Sequence, residues 1–482
     1  SLGNDQLVGE STAPFTNTIE RIIGNANFTN TIDGQLNAAG NGSFVVNLAE
    51  ETLTVNVSTP NVGPFNFQVV NFDNVVGTDN NDSIIGNAND NVFGGSAGND
   101  TIDGVDGNDT VDYSNFGGAV TLGGSGDIAK GDVDAAGIGS LGNDAIANIQ
   151  TIIGSATQTN TIDGQLNAAG NGSFVIDLSQ ELLTVNISTP GVGPFTFNVE
   201  NFDNVVGTVN DDSITGNDND NVFTGSTGDD SINGLDGDDT VDYSGLGAGI
   251  TLLTQGQIAK DPVTNGDTVS GLLGTDLTTG IETIIGDASQ TNTINGVANG
   301  EFVDAGERAT FDIDLRDETF TLASTTGFFG PLTFTIENFS EVVGTVNNDT
   351  IKGSNFADVL DGEAGDDFVF GRQGNDIVDG GAGNDTLRGD SGSDTVSGGD
   401  GNDKIDGGGN ADILSGGVGN DFISGKNGAD LIDGGTGDDT LLGNAANDTI
   451  NGSTGNDRIN GGGRFDTLAY TGLGGSVSLG SQ

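Results

Sequence analysis

An aspartate stands at every ninth position from Asp349 to Asp466, fourteen in succession without a gap. The row runs Asp349, Asp358, Asp367, Asp376, Asp385, Asp394, Asp403, Asp412, Asp421, Asp430, Asp439, Asp448, Asp457 and Asp466. Two shorter runs keep the same frame: Asp82, Asp100 and Asp109 within 77–112, and Asp212, Asp230 and Asp239 within 207–242. Asn91 and Asn221 fill the intervening places, which removes a charge and keeps an oxygen. Carboxylates at short spacing serve as acid–base pairs, as turn caps or as metal ligands. A hydrolytic pair needs two carboxylates with different environments, and no member of this row differs from its neighbours. A lone aspartate is read as a turn cap. Fourteen in one register are read as ligands to a hard cation. Calcium accepts roughly 6–8 oxygens at about 2.3–2.6 Å in loose geometry, whereas magnesium demands a tighter octahedron and keeps its waters.

The residues around each aspartate prescribe the element that carries it. Five positions earlier is a glycine, from Gly344 to Gly461, and two positions later is Ile, Leu or Val. The unit is G-G-x-G-x-D-x-U-x, with U a large apolar residue. The glycines permit the positive φ of a tight turn. The residues around U are too few for a helix but suffice for a short strand with U facing inward. Two units close one flattened coil of eighteen residues, so each residue stacks on the one eighteen ahead. Asp349, Asp367, Asp385, Asp403, Asp421, Asp439 and Asp457 then line one edge, and Asp358 through Asp466 the other. Coils ~4.8 Å apart bring like charges together at a cost of roughly 3.5 kcal/mol per pair for an effective dielectric of ~20. Summed along an edge, this exceeds the ~5–15 kcal/mol that stabilises a domain. A divalent ion between turns reverses the sign.

Composition agrees. The 482 residues hold 71 acidic and 12 basic side chains, for a net charge of −59. Nucleic acid is excluded as a partner, because phosphate recognition needs a basic face, and an anionic membrane surface is disfavoured on the same ground. No apolar run approaches the ~18–20 residues that cross a bilayer, so no membrane insertion is expected. Cys, His, Met and Trp are absent. That removes disulfides, zinc and iron–sulfur sites, along with His- or Cys-based catalytic triads. Tyr113, Tyr243 and Tyr470 occupy one repeated place and are read as core or spacer residues. No catalytic residue is assigned, and no intrinsic enzyme activity is expected.

A longer repeat overlies the nonapeptide. Residues 19–130 recur at 149–260, with TNTIDGQLNAAGNGSFV in both, and a third copy starts at Ile281. The organisation is read as module 1 (1–135, insert 35–72, short array 77–112), module 2 (136–265, insert 165–202, short array 207–242), a third linker and insert (266–343, insert 297–339), and the long array with an incomplete spacer (344–482). The inserts alternate as strands do: Leu53, Val55, Val57 then Phe65, Phe67, Val69, and again Leu183, Val185, Ile187 then Phe195, Phe197, Val199. The third has Phe311, Ile313, Leu315, Phe320, Leu322, Phe334 and Ile336. Pro60 and Pro64, like Pro190 and Pro194, bracket the turn between strands. Two readings stand: a hairpin or small sheet projecting from the coil as a contact surface, or longer coils that widen the core.

The chain begins at Ser1 without a signal peptide and reads as a processed or excised piece. Ser1–Asp5 repeats Ser140–Asp144, and 466–479 matches 239–252. Tail and head thus read as complementary, with head-to-tail self-association the expectation.

GGAGNDTLRG at 380–389 and GGTGDDTLLG at 434–443 resemble the repeats-in-toxin (RTX), or haemolysin-type, calcium-binding nonapeptide, and DTVDYSGLGAGITL at 239–252 resembles the spacers of large bacterial surface proteins of that kind. The resemblance implies an all-β fold: a parallel β-roll or β-solenoid with calcium between coils, here interrupted by hairpin or small-sheet segments. It implies multiple calcium ions, about one per nonapeptide, on Asp82, Asp100, Asp109, Asp212, Asp230, Asp239 and the row from Asp349 to Asp457. The loss of the turn glycine at Phe356, Asn410, Ala446 and Arg464 marks weaker positions, and Arg464 leaves Asp466 weak or empty. The implied setting is extracellular, reached by type 1 secretion, with folding after export. Two functions are expected. One is a structural surface layer, fibre, sheath or adhesin, with cell-surface polysaccharide as a candidate partner. The other is the folding and export module of a secreted enzyme or toxin. Three homologous modules favour the first, since an export tail needs one array.

Overall fold

The computed structural model describes residues 20–35, 42–57, 64–132, 139–166, 172–187, 194–253, 256–260, 273–296, 309–324 and 331–470. The chain divides into two compact units, Ser1–Asp239 and Thr240–Gln482. The division falls inside the short array 207–242, not at a module edge. The head segment Ser1–Asp5 and the tail segment beyond residue 470 lie outside the described residues, as do Pro60 and Pro190.

The described residues form 46 strands and one short 3-10 turn at Leu178–Gln180. In the long array the strands are three to six residues long and pair in parallel with a shift of eighteen. On one sheet Thr350–Lys352 pairs with Phe368–Phe370, which pairs with Thr386–Ser391. On the opposite sheet Val359–Asp361 pairs with Ile377–Asp379, and that with Thr395–Asp400. The middle residue of each strand faces inward. Ile351, Val369, Leu387, Ile405, Ile423 and Leu441 from one sheet meet Leu360, Val378, Val396, Leu414, Ile432 and Ile450 from the other, none more than 1% exposed. Each such burial stabilises by about 1.5–3 kcal/mol. The parallel β-roll expected from the eighteen-residue coil is the observed fold. At the far end the expected pattern weakens: Leu468, in the strand Thr467–Ala469, is 46% exposed.

In nine of the fourteen turns of the long array the coil closes through a glycine two places before the aspartate. Gly383 has φ +154°, and a Cβ there would lie 1.5 Å from the carbonyl oxygen of Gly365 in the adjoining coil. No side chain fits between coils stacked this closely. In three of the five turns without it, Asn410, Ala446 and Arg464 are held at φ of 77°, 91° and 90°, a left-handed conformation that costs a non-glycine residue energy.

The inserts do form hairpins, and the hairpins join the coil's own sheets. Gly42–Asn47, Thr52–Val57 and Phe65–Val70 run antiparallel to one another. Their outer members then join the parallel ladder, Phe65–Val70 to Arg21–Ile23 and Gly42–Asn47 to Ser83–Ile85. The insert is therefore spliced into the sheet as two extra strands. Gly172–Asp177, Leu182–Ile187 and Phe195–Glu200 repeat the arrangement on the opposite sheet. The face changes because Arg21–Ile23 and its copy Thr151–Ile153 belong to different sheets. The third insert, Ala309–Asp314, Thr319–Ser324 and Leu332–Glu337, is spliced the same way. Its aromatic rings meet over the core, Phe311 edge-on to Phe320 at 4.9 Å and Phe320 stacked on Phe334 at 5.7 Å.

The spacers use the same device. Val120–Gly123, Asp127–Lys130 and Gly142–Ala147 form an antiparallel set between Thr161–Asp163 and Thr101–Asp103. Tyr113 and Tyr243, read as core or spacer residues, are both wholly buried.

Candidate metal centre

Each sixth-position aspartate sits where the turn enters a strand, and its two oxygens have different fates. Oδ1 accepts the backbone N–H of the aspartate one coil earlier. The series runs from Asp349 N–H on Asp367 to Asp448 N–H on Asp466, at 2.7–3.2 Å. The structure thus brings the predicted ligands into two edge rows at eighteen-residue register, as the spacing required.

Oδ2 divides the aspartates into groups. In Asp109 and in the ten from Asp367 to Asp448, Oδ2 is buried and has no hydrogen-bond partner. These side chains are nearly inaccessible, 2% exposed or less. Leaving a carboxylate oxygen bare and dry costs more than leaving a neutral group so, and repeating it coil after coil has no purely structural rationale. The space beside the bare oxygen has a defined wall. A Cβ added to Gly380 would lie 2.6 Å from Asp385 Oδ2 and 2.6 Å from the carbonyl oxygen of Gly398 in the next coil. The glycine five places before the aspartate keeps that space clear.

These donors suit calcium. They are hard oxygens, one anionic carboxylate per turn with main-chain carbonyls beside it, as calcium accepts. Among the described residues no three carboxylates converge on one point, so the carboxylates do not form a cluster of their own. Asp367 through Asp448 and Asp109 are the residues that would hold the ion, and the ion would supply the positive charge their oxygens lack.

Other predicted ligands take hydrogen bonds from the chain, and the first four have both oxygens satisfied. Asp82 Oδ2 accepts the Thr78 N–H at 2.6 Å and the Thr78 hydroxyl at 3.2 Å, while Oδ1 takes the Phe44 N–H at 2.5 Å. Asp212 is held alike by Thr208 and Phe174, and Asp349 by Thr345 and Phe311. Ser354 closes on Asp358 with its N–H at 2.6 Å and its hydroxyl at 3.0 Å. These four open their arrays, and their turns read G-T or G-S where later turns most often read G-G. Ser96, Ser226 and Ser453 hold the same position in the turns of Asp100, Asp230 and Asp457, so the hydroxyl alone does not single these four out. Asp100 accepts the Ser96 hydroxyl at 3.2 Å and the Lys130 ammonium at 3.3 Å. Asp230 accepts the Ser226 hydroxyl at 3.2 Å and the Asp212 N–H at 2.9 Å. Asp239 accepts the Asn221 N–H at 2.8 Å. Asp457 is half-buried and accepts the Asp439 N–H at 3.2 Å.

Two aspartates escaped sequence reasoning. Asp144 Oδ1 accepts the Asp100 N–H at 2.9 Å, so Asp144 continues the edge row 44 residues later, not eighteen. Asp276 occupies the matching spacer and is likewise fully buried. The tetrapeptide Leu-Gly-Asn-Asp at 141–144 carried the nonapeptide's own G-x-D signature, visible once the spacer is recognised as an excursion within one coil.

Six segments, residues 73–112, 215–245, 343–378, 379–414, 406–441 and 433–468, match the family model of the RTX calcium-binding nonapeptide repeat. No curated protein matches the chain.

Proposed function

We propose that this chain, a calcium-binding β-roll protein built on RTX nonapeptide repeats, is a secreted structural protein of the cell surface whose long array orders when calcium binds. The observation that carries the reading is the row of buried, unpartnered Oδ2 atoms from Asp367 to Asp448. An array that leaves an anionic oxygen bare in every turn is incomplete without a cation. Low calcium before export would leave the array unfolded, and the higher calcium outside would close it.

A structural role is favoured over an export tail because the repeats form three homologous modules, two of them in near-identical copies, and because each insert lengthens a sheet. A surface layer, fibre, sheath or adhesin uses such length, and cell-surface polysaccharide is a fitting ligand class for its exposed faces. The carboxylates are committed to main-chain partners or to the cation row, and we assign none to catalysis.

Calorimetric titration of the chelated chain tests this. Calcium is expected to bind with a stoichiometry near one ion per bare oxygen, and magnesium to bind far more weakly. Absence of calcium binding at millimolar concentration would refute the reading.

A further inference from the structure

We infer that nitrogen donors of the chain itself, chiefly the Lys130 ammonium, stand in the place of calcium along part of each edge, so that those turns close without metal. The inference rests on the reading that the bare-oxygen turns take calcium.

Lys130 leaves the last residue of the spacer strand Asp127–Lys130 and is 0% exposed. Its ammonium donates to the Ser96 carbonyl at 2.6 Å, to Asp100 Oδ2 at 3.3 Å and to Asp144 Oδ1 at 2.5 Å. Two consecutive members of the edge row and a turn carbonyl thus converge on one cationic nitrogen. That is the ligand chemistry the long array holds ready in its turns, with the charge supplied covalently. The remaining Asp144 oxygen accepts the Tyr113 hydroxyl at 2.5 Å, so every carboxylate oxygen here is satisfied. A buried ammonium survives only with such partners. The arrangement recurs in the second spacer: Lys260, also 0% exposed, donates to Asp276 Oδ1, and the Tyr243 hydroxyl donates to Asp276 Oδ2 at 2.6 Å. Two of the chain's twelve basic residues are spent this way, at equivalent places in the two copies.

Asparagine does the same with a neutral donor. At Asn160, two residues before the inward Ile162 in a turn one residue longer, Nδ2 donates to the Ser155, Gln158 and Asn201 carbonyls at 2.8, 2.9 and 2.7 Å. At Asn91, Nδ2 donates to the Asp73 carbonyl at 2.8 Å and Oδ1 accepts the Asn87 N–H at 2.8 Å. Asn221 repeats this with Asp203 and Asn217, both at 2.9 Å. At Asn91 and Asn221, Oδ1 lies against the glycine five places earlier, where the aspartate turns present a bare Oδ2, and there it accepts the turn's own N–H. The loss of charge at these positions therefore marks a turn that needs no ion.

The test counts calcium per chain by equilibrium dialysis and elemental analysis, in full-length wild type, Lys130→Met and Asn91→Asp. Lys130→Met leaves two buried carboxylates facing each other, and Asn91→Asp exchanges an amide for a near-isosteric carboxylate. Each variant is expected to bind one more calcium ion than wild type. A thermal melt in calcium shows whether Lys130→Met is folded. If it is folded with no added ion, the lysine assignment is overturned. An Asn91→Asp chain with an unchanged count overturns the amide assignment whatever Lys130→Met does. Wild type that binds no calcium would instead bring down the underlying reading, a different result from normal wild-type binding with no gain in the variants.

Discussion

A carboxylate buried away from water, with one oxygen left without a donor, resists ionisation. Burial pushes Asp367 up to about 8, and Asp376, Asp385 and Asp412 up to about 7, with neighbouring aspartates adding to the effect. Asp430 and Asp439 rise to about 6 for the same reason. The ordinary value is 3.8. Because the folded pKa is raised, the metal-free fold holds protons that the unfolded chain releases, and its stability is greatest below the ordinary value. That stability is lost as pH rises from about 4 through the folded values near 6–8. The metal-free chain is therefore expected to gain strand signal on acidification from pH 8 to 4.5, measured by circular dichroism in chelator. Calcium binding must displace those protons, so calcium affinity should fall over the same interval. Single residues separate the two kinds of turn. Asp385→Asn should remove one bound calcium, while Asp358→Asn, whose partner is Ser354, should leave the count unchanged, as read by dialysis. The identity of the ligand rows was legible because the nine-residue period admits one stacking register. What was not legible was which oxygens the chain satisfies itself, since that depends on Thr78, Thr208, Thr345 and Ser354 folding back by four residues.

The short strand and its turn are specified locally and with little tolerance. Substituting Gly383 by Ala would drive a Cβ into the Gly365 carbonyl, and the coil would have to open. The cost should be about 3 kcal/mol, by the strain of an unsuitable backbone and a lost coil contact, seen as a lower melting temperature in saturating calcium. Ile405→Ala, at a position 0% exposed, should cost about 2–5 kcal/mol through the cavity it leaves. The inserts show where local pattern stops being sufficient. Alternation at Leu53, Val55 and Val57 identifies strands and a hairpin correctly, yet says nothing about which edge the hairpin offers to the ladder. The parallel registers of Val45 with Ser83 and of Gln68 with Arg21 are set by tertiary pairing 38 and 47 residues apart in the chain. Asp144 is hidden in the same way, by a spacer that leaves the coil and returns 44 residues after Asp100.

Across the whole molecule the need for calcium is uneven. Turns closed by lysine, asparagine, threonine or serine concentrate before residue 360, and turns with a bare oxygen fill the stretch from Asp367 to Asp448. Hydrogen exchange in chelator should accordingly show retained protection in strands such as Val120–Gly123 and Gly142–Ala147, and lost protection from Phe368–Phe370 to Leu431–Thr436. A net charge of −59 reads as disorder by composition alone, and the periodic apolar residue two places after each aspartate is what overrides that reading. The most direct test of the central claim is far-ultraviolet circular dichroism of the chelated chain at neutral pH during calcium addition. A cooperative rise in strand signal with calcium, not reproduced by magnesium, is the predicted result. Full strand signal in chelator, unchanged by calcium, would contradict it.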